Sequence, residues 1–570
     1  MQKPASKRWI IAEKISPTIE SALSDYPPFF RQVLYNRGIT DCEAARQFFA
    51  ADCRFHDPMA LMNMADTTER LWSAIDRGEL IAVYGDYDVD GVTATALLVE
   101  VLESLGASVF AYIPNRFEEG YGLNLDALNS LAEQGVKIVL TVDCGIRSLA
   151  EAEHARRLGL DLIISDHHHP LDQIPNAWAV ICPKLPGDVY PEKNLAGVGV
   201  AFKIAQALHQ RRPQTEGWLE GWLDLVALGT VADIMPLVGE NRLLVHTGLQ
   251  VLRQGRRQGL VSLARAAGID LNRVKTADIG FGLAPRLNAA GRLESALAAY
   301  HLLVEKDVQR TGLLAQQLDD QNRERQKLTQ QMQAEAEAII LKEQLEEILF
   351  AFHEGFNPGV VGLVAGKLAE SYYRPAVVGW IHDESVRASC RSIPEFHITR
   401  ALDACADLME HHGGHALAAG FTIQKRNLPE LVERLARIAH EQLGDQLLQP
   451  VLRADVEIPL SELHPVFLNY LDQLEPTGMA NPEVAFVSRG VKVARARQLS
   501  EGKHLRLTLT DRRITFDAVA FRQGHWMANG NHLPQEVDIL YRFERNTYNG
   551  VTSLQLNILD IKPAGEKGVG

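Results

Sequence analysis

At 570 residues the chain has ample length for several domains, each with a core of its own. A hydrophobic share of 46% and a charged share of 23% are those of an ordinary soluble protein. The net charge of -14 rules out nucleic-acid binding through overall charge, so any such contact has to be local. Six cysteines lie scattered at 42, 53, 144, 182, 390 and 405 without a C-x-x-C pair, which favours reduced thiols. Met1 to Arg8 leads into no signal-like apolar stretch, and no run approaches membrane-spanning length. A cytoplasmic location and no membrane partner are expected.

Residues 1–75 mix helical pattern with loops and are expected to pack on the domain that follows. In that domain, residues 76–305, the run Leu80 to Tyr84 is short, apolar and bounded by charge, as a buried strand is; Val92 to Leu105 has helical length and spacing. Between them stands Asp86-Tyr87-Asp88-Val89-Asp90-Gly91. In extended chain residues two apart share a face, so some of these carboxylates can converge at the strand's carboxyl end. Clustered, unpaired buried carboxylates repel one another and lose solvation, so they call for a cation. Asp-x-Asp-x-Asp-Gly also opens an EF-hand calcium loop, but that loop needs a Glu at its twelfth position, where Leu97 stands, and a preceding helix.

The pattern recurs. Val136 to Val142 ends in Asp143-Cys144-Gly145, Leu160 to Ser165 ends in Asp166-His167-His168, and a fourth apolar segment, Leu225 to Ala232, ends in Asp233. Helical stretches at Val92 to Leu105, Leu125 to Gln134 and Leu149 to Leu158 separate the first three, which makes a βαβαβ unit with a parallel sheet and one shared crevice. A single Asp after a strand is commonly a helix cap or turn former, and a His run suits a solvated loop. Four apolar segments ending in Asp are harder to explain as independent caps. Asp88, Asp90, Asp143, His167 and Asp233 can meet in that crevice.

From Leu313 to Glu354 there is neither Gly nor Pro, and residues 306–347 are expected to be a connecting helix with little core of its own. Residues 348–447 form a second α/β lobe that opens on the strand-like Ile348 to Phe352 and carries Gly359-Val360-Val361-Gly362 and Gly413-Gly414-His415. From 448 to 570 the texture is β-rich, with runs at Val491–Ala496, His504–Leu509, Ile514–Phe521, Val537–Phe543 and Ser553–Ile561, the spacing of a five-stranded OB-like barrel. Phe516, Phe521, Trp526, Tyr541, Phe543 and Tyr548 interleave there with basic residues, and burial is the usual fate of such aromatics. Ser488 to Arg513 holds eight basic residues against Glu501 and Asp511, and Arg253, Arg256, Arg257, Arg265 and Arg273 make a second basic stretch. Such runs are ordinarily solvated faces.

The four Asp-ending segments resemble the successive motifs of the DHH phosphoesterase superfamily. Pro114 to Gly122, Leu195 to Ala201 and Ala284 to Arg292 resemble the RecJ family of bacterial single-strand DNA exonucleases, a likeness that covers nearly everything after residue 75. The resemblance implies a catalytic set of Asp86, Asp88, Asp90, Asp143, His167, His168 and Asp233. Within it Asp88, Asp90, Asp143, His167 and Asp233 fall at ligand positions for two divalent ions, Mn²⁺ or Mg²⁺, with Asp143 as the bridge. His168, Arg116, Arg286, Arg292, Ser389, Arg391 and His415 fall at phosphate contacts, with Arg116, Ser389 and Arg391 around a 5′-terminal phosphate. Two departures stand out: Cys390 where relatives commonly have Gly, and Asn357 where they commonly have His. The implied activity is 5′-to-3′ degradation of single-stranded DNA to mononucleotides by a monomer, in recombination and repair, with a single-strand-binding protein and a helicase as partners. The alternatives are a phosphodiesterase of short oligonucleotides or cyclic dinucleotides, and a replication scaffold without catalysis.

Overall fold

A computed structural model describes residues 7–49, 55–115, 119, 122–342, 347–530, 532–548 and 551–565. The chain divides into two compact units, one of residues 50–325 with 475–482, the other of 1–49, 326–474 and 483–570. Among the described residues no helix is long and apolar enough to cross a membrane.

The first unit is built on a five-stranded parallel sheet in the order Ser108–Tyr112, Leu80–Tyr84, Ile138–Val142, Asp161–Ser165, Ala179–Ile181. Its central strands are buried on both faces, which is why they read as unbroken apolar runs rather than alternating ones. The chain leaves Leu80–Tyr84 for one neighbour and then crosses to the other. The crevice between the carboxyl ends of Leu80–Tyr84 and Ile138–Val142 is therefore the switch point of the sheet, the usual place for a ligand. Two strands escape the sequence reading. Ser108–Tyr112 is a half-exposed edge, and Ala179–Ile181 has only three residues.

Two further expectations need correction. The first helix begins at Val89, not Val92, because the Asp88 carboxylate accepts N–H bonds from Asp90 (2.9 Å) and Gly91 (3.2 Å) and so caps it. Asp88 and Asp90 therefore do not converge by strand alternation; a turn and the first helical residues aim them. The segment ending in Asp233, whose geometry the sequence left open, is a helix, Leu223–Ala232, and all but its last two residues are buried.

A buried charge network ties this unit together. Lys203 and Glu240 pair out of water, with further partners in the Tyr190 hydroxyl (2.5 Å to Glu240), Gln206 Oε1 (2.7 Å) and the His56 carbonyl (3.2 Å). Lys203→Ala leaves the Glu240 carboxylate buried without its cation. We expect a loss of about 3–5 kcal/mol, read as a lower first transition in calorimetry.

In the second unit Leu349–His353 and Ala376–His382 run parallel, and Ser385–Arg391, Ala418–Gln424 and Met409–His415 follow antiparallel. The Gly413-Gly414-His415 stretch is thus the end of an edge strand, not a free turn. Phe486–Leu499, His504–Thr510, Thr515–Ala520, Val551–Pro563 and Glu536–Tyr548 close into a barrel, since the last also pairs with the first. Phe516, Tyr541 and Phe543 fill its core, Trp526 is half-buried, and Phe521 is exposed. The Tyr548 side chain lies outside the described residues.

The expected packing of residues 1–75 on the catalytic core holds only for their last part. Leu71 and Trp72 of the Met64–Arg77 helix enter the sheet's core, but Phe29, Phe30, Val33 and Leu34 share a core with Phe486, Leu507 and Tyr541 of the barrel. The physical reason is the apolar stripe on Pro28–Tyr35, which meets the apolar Phe467, Leu468 and Tyr470. A two-stranded parallel sheet, Arg8–Ile11 with Val451–Ala454, fixes the same attachment. The long helix runs Val308–Ile340 and is no bare strut: Ala315 and Leu318 enter the first unit's core, and Met332, Ala336 and Ile340 enter one in the second.

Candidate metal centre

Glycines clear the ground for the acidic turn. A Cβ at Gly85 would stand 1.9 Å from Thr95 Oγ1, and one at Gly91 would stand 2.7 Å from the Asp86 backbone. The turn therefore folds tightly over the helix start, with Asp86 and Asp90 only 3% and 1% exposed. Asp90 accepts the N–H groups of Gly197 (2.7 Å) and Val198 (2.8 Å), the opening of the Gly197–Arg211 helix. These bonds explain the Leu195 to Ala201 segment, whose amides sequence reasoning did not single out. Gly197 is needed because a Cβ there would press on Asp143 at 2.7 Å.

Asp143 follows Ile138–Val142 with φ +61°, a left-handed conformation that a non-glycine residue holds only under constraint. Asp166 is a hub that the sequence reading did not count as a site residue. Its Oδ1 accepts the backbone N–H of His167 (2.7 Å) and of His168 (3.0 Å), and the Nδ1–H of His168 (2.8 Å), while Oδ2 accepts from Ile146 N–H (2.9 Å). Burial is the largest influence on Asp166 and opposes its ionisation, but the His168 bond and charge, the Ile146 amide and His167 together hold the carboxyl below its ordinary range. His168 is correspondingly raised by Asp166 against the pull of burial. The ring is fixed with Nε2 left to face away from Asp166.

His167 Nε2 lies 3.0 Å from Asp143 Oδ1, 3.5 Å from Asp233 Oδ2 and 3.7 Å from Asp90 Oδ2. Burial, and then the neighbouring His168 charge, pushes this imidazole down to about 3, so it is a neutral donor. Burial and the Asp88 charge push Asp90 up to about 7; burial with Asp90 and Asp88 pushes Asp233 up to about 9. Asp143 rises well above its ordinary value for the same reasons. Asp233 also sits just past the carboxyl end of Leu223–Ala232, where the helix dipole disfavours a negative group. Lys184, which the sequence reading passed over, is near enough to lower both Asp233 and His167.

These residues fit divalent cations. His167 Nε2 and Asp233 Oδ2 are buried without a hydrogen-bond partner although each faces the other's group across 3.5 Å. Potential ligand atoms within 4.8 Å of one another fall into three sets: Asp90, His167 and Asp233; Asp143, His167 and His168; and Asp86, Asp88 and Asp143. The last two meet at Asp143, which reaches toward both ends of the cluster. Carboxylate oxygens with an imidazole, and no thiolate, suit Mn²⁺ or Mg²⁺.

The residues expected to hold phosphate are more dispersed. Arg116 lies outside the described residues. Arg286 is engaged with Asp319 (2.9 Å) and the Gly282 carbonyl (2.7 Å), so its guanidinium serves the fold as it stands. Arg292 is half-buried at the end of Ala284–Leu293, next to Gly291, where a Cβ would stand 2.7 Å from the Tyr87 carbonyl. That contact places Arg292 beside the acidic turn. Arg257 of the second basic stretch is an ion-pair residue, bound to Glu100 and Asp224 at 2.9 Å each.

In the second unit Ser389 and Arg391 share one face of their strand, and the start of the Val361–Tyr372 helix lies against them. A Cβ on Gly362 would stand 3.3 Å from Arg391 Nη2 and 3.4 Å from Ser389 Oγ. A guanidinium and a hydroxyl beside the start of a helix are groups that can receive an anion. Cys390 points the other way, fully buried with Val377 and Phe421, so its departure from Gly touches the core and not these groups. Asn357 Oδ1 accepts the Gly359 N–H (2.8 Å) and shapes the loop before that helix. His415 is exposed at the edge-strand end, its carbonyl bound by Thr399 Oγ1 (2.7 Å).

The chain matches the DHH family, N-terminal domain, over residues 80–230, the DHHA1 domain over 345–441 and the RecJ OB domain over 454–560. It is 38% identical over 564 residues to the single-stranded-DNA-specific exonuclease RecJ of Bacillus subtilis (strain 168), covering 98% of this chain and 71% of that protein. The RecJ of Escherichia coli (strain K12) is 34% identical over 568 residues, 95% of this chain and 96% of that one. The crystal structure of RecJ in complex with Mn²⁺ from Thermus thermophilus matches with a TM-score of 0.83 at 30% identity, over 97% of this chain and 79% of that chain. Likeness of this extent runs through all three domains and not merely through the shared parallel sheet, and the chain accordingly belongs to the RecJ family.

Proposed function

We propose that this chain is a metal-dependent exonuclease that degrades single-stranded DNA from the 5′ end to mononucleotides. The observation that carries the reading is the cluster of carboxylates and neutral imidazole meeting at Asp143, kept whole in a chain whose relatives are named single-stranded-DNA-specific exonucleases. Asp88, Asp90, Asp143, His167 and Asp233 would hold two divalent cations; Asp86 braces the turn. Two such cations lower the pKa of a bound water and steady the attacking and leaving oxygens at phosphorus. His168, its ring locked by Asp166, offers Nε2 to the substrate phosphate, and Arg292 adds positive charge at the turn. Residues 76–305 form the catalytic domain in this reading, 306–347 the connector, 348–447 the DHH-associated domain and 448–570 the barrel.

The barrel supports a strand-binding role. Arg497 and Arg506 are exposed and stand directly opposite each other on paired antiparallel strands. Asp517 pairs with Arg506 at 3.0 Å and offsets part of the repulsion that like charges so placed bring, so Arg497 is the member of the pair that the strand-binding reading rests on. Arg489 and Lys492 contribute less, being paired with Asp538 and Glu536. A phosphodiesterase of short oligonucleotides has no use for this surface, and a non-catalytic scaffold has no use for a complete ligand set. The protein is taken to act in the cytoplasm as a monomer, on strands that a helicase opens and a single-strand-binding protein coats.

Digestion of strands labelled at the 5′ or the 3′ end, with Mn²⁺, tests polarity. Immediate release of the 5′ label as mononucleotide is expected, and release from the 3′ end alone refutes the assignment. Ser389 and Arg391 are proposed to grip the terminal phosphate. Arg391→Ala should cut the preference for 5′-phosphorylated over 5′-hydroxyl strands by about tenfold, the worth of one charge-assisted hydrogen bond, as read from initial rates on the two substrates.

A further inference from the structure

Ile279–Leu283 is a single π-helical turn leading straight into the Ala284–Leu293 helix. Turns of this kind are rare and gather at functional sites. Ile279 and Leu283 are buried in the core that carries the parallel sheet, yet Phe281 between them is 88% exposed, more than any other large apolar side chain among the described residues. Glycines flank it on both sides, and a Cβ at Gly280 would meet nothing within 4 Å. The ring therefore stands clear of its own backbone.

One exposed apolar residue needs no explanation by itself. Phe281, however, is held in place from below. Arg286 donates to the Gly282 carbonyl at 2.7 Å, and a Cβ on Gly282 would stand 2.4 Å from Ile269 Cδ1. Guanidinium groups and carboxylates alternate beneath the turn, with Asp278 preceding it and Glu324 beside Arg323 and Arg325. Arg286 and Arg323 share the buried Asp319 carboxylate (2.9 and 2.7 Å), Arg325 lies within electrostatic reach of Arg286, and Asp320 approaches Arg323 only at 4.0 Å. An exposed aromatic face with guanidinium groups anchored beneath it is a platform on which the bases of a single strand stack. The same helix ends at Gly291 against the Tyr87 carbonyl of the acidic turn. At a rise of about 1.5 Å per residue, Phe281 lies about 15 Å from that contact. This distance is about four nucleotides at the B-form rise of about 3.4 Å, and fewer in a stretched strand.

We propose that Phe281 is a positioning residue: it stacks on a base of the bound strand a few nucleotides from the scissile phosphate and keeps the backbone in line with the metal centre. This rests on the single-strand exonuclease reading. Phe281→Ala should raise KM for a long oligothymidylate by roughly tenfold, leave kcat within about twofold, and leave hydrolysis of a dinucleotide, too short to reach the ring, unchanged. Phe281→Tyr should restore the wild-type KM. In a Phe281→Trp variant that also carries Asp143→Asn, the added indole emission should be quenched by the long strand and not by the dinucleotide. An unchanged KM for the long strand in Phe281→Ala, an equal loss on both substrates, or unquenched emission overturns the proposal. Wild-type protein assayed beside the variants separates the two levels: its failure to degrade strands strikes the proposed function, whereas its success beside an indifferent Phe281→Ala strikes this inference alone.

Discussion

Asp143→Asn and Asp143→Ala should both abolish hydrolysis while strand binding stays within a few-fold of wild type. Asp143 is the carboxylate that belongs both to the set with His167 and His168 and to the set with Asp86 and Asp88. Its loss therefore dismantles both ends of the centre, and the fall in kcat should exceed the roughly 10²–10³-fold typical of removing one stabilising donor. The two variants should differ in stability. At φ +61° Asn is tolerated nearly as Asp is, whereas Ala there meets the full left-handed penalty of about 1–2 kcal/mol. Single-turnover hydrolysis with Mn²⁺, anisotropy with labelled strand and a melting curve measure the three quantities separately. Near-wild-type turnover in either variant would refute the bridging role.

The second large effect is a pH dependence that cations reverse. Asp90, at about 7, and Asp233, at about 9, are raised above the ordinary carboxyl value of 3.8 by burial and by neighbouring carboxylates. In metal-free buffer the folded unit thus holds more protons than the unfolded chain from about pH 4 upward, and stability must fall as pH rises through that window. His167, pushed down to about 3, acts in the opposite direction, but only below its unfolded value of 6.5. Between pH 7 and 9 His167 no longer opposes them, and His168, itself raised above 6.5, adds to the downward slope that the carboxylates set. The metal-free transition should drop over that range by an amount worth several kcal/mol, and Mn²⁺ at a thousandfold excess over its Kd should return about 4 kcal/mol. The cation must displace protons to bind, so its uptake should acidify weakly buffered solution. Calorimetry at both pH values, with chelator and with Mn²⁺, decides it; a metal-free transition that climbs from pH 7 to 9 contradicts the account.

What the amino-acid order disclosed about this site was chiefly chemistry, and what it hid was chiefly geometry. Runs such as Leu80–Tyr84 and Ile138–Val142 are buried on both faces, so their apolar character was visible without a partner strand. Ser108–Tyr112 was missed because an edge strand carries a weaker pattern. Alternate spacing of Asp86, Asp88 and Asp90 suggested an extended chain, but the Asp88 cap turns the backbone helical at once. Asp166 was read as part of a motif and not as its hub, since four hydrogen bonds to one carboxylate leave no trace in spacing. The amides of Gly197 and Val198 were equally hidden, although the glycine beside a buried acid was the available sign. Residues 7–49 were assigned to the wrong neighbour because an apolar stripe says that a partner exists and not which one.

That misplaced segment bears on how the protein comes into being. The Arg8–Ile11 strand pairs with Val451–Ala454, and at about 5–20 residues per second the ribosome needs roughly 20 to 90 s to make the intervening chain of about 440 residues. Through that interval the parallel-sheet unit has all but its 475–482 segment and can fold, while Phe29, Phe30, Val33 and Leu34 wait with no surface to cover them. A message cut short before the barrel would yield a chain whose metal ligands are all in place and whose first helices remain sticky. The nascent protein is thus most in need of shielding near its beginning, until its end emerges.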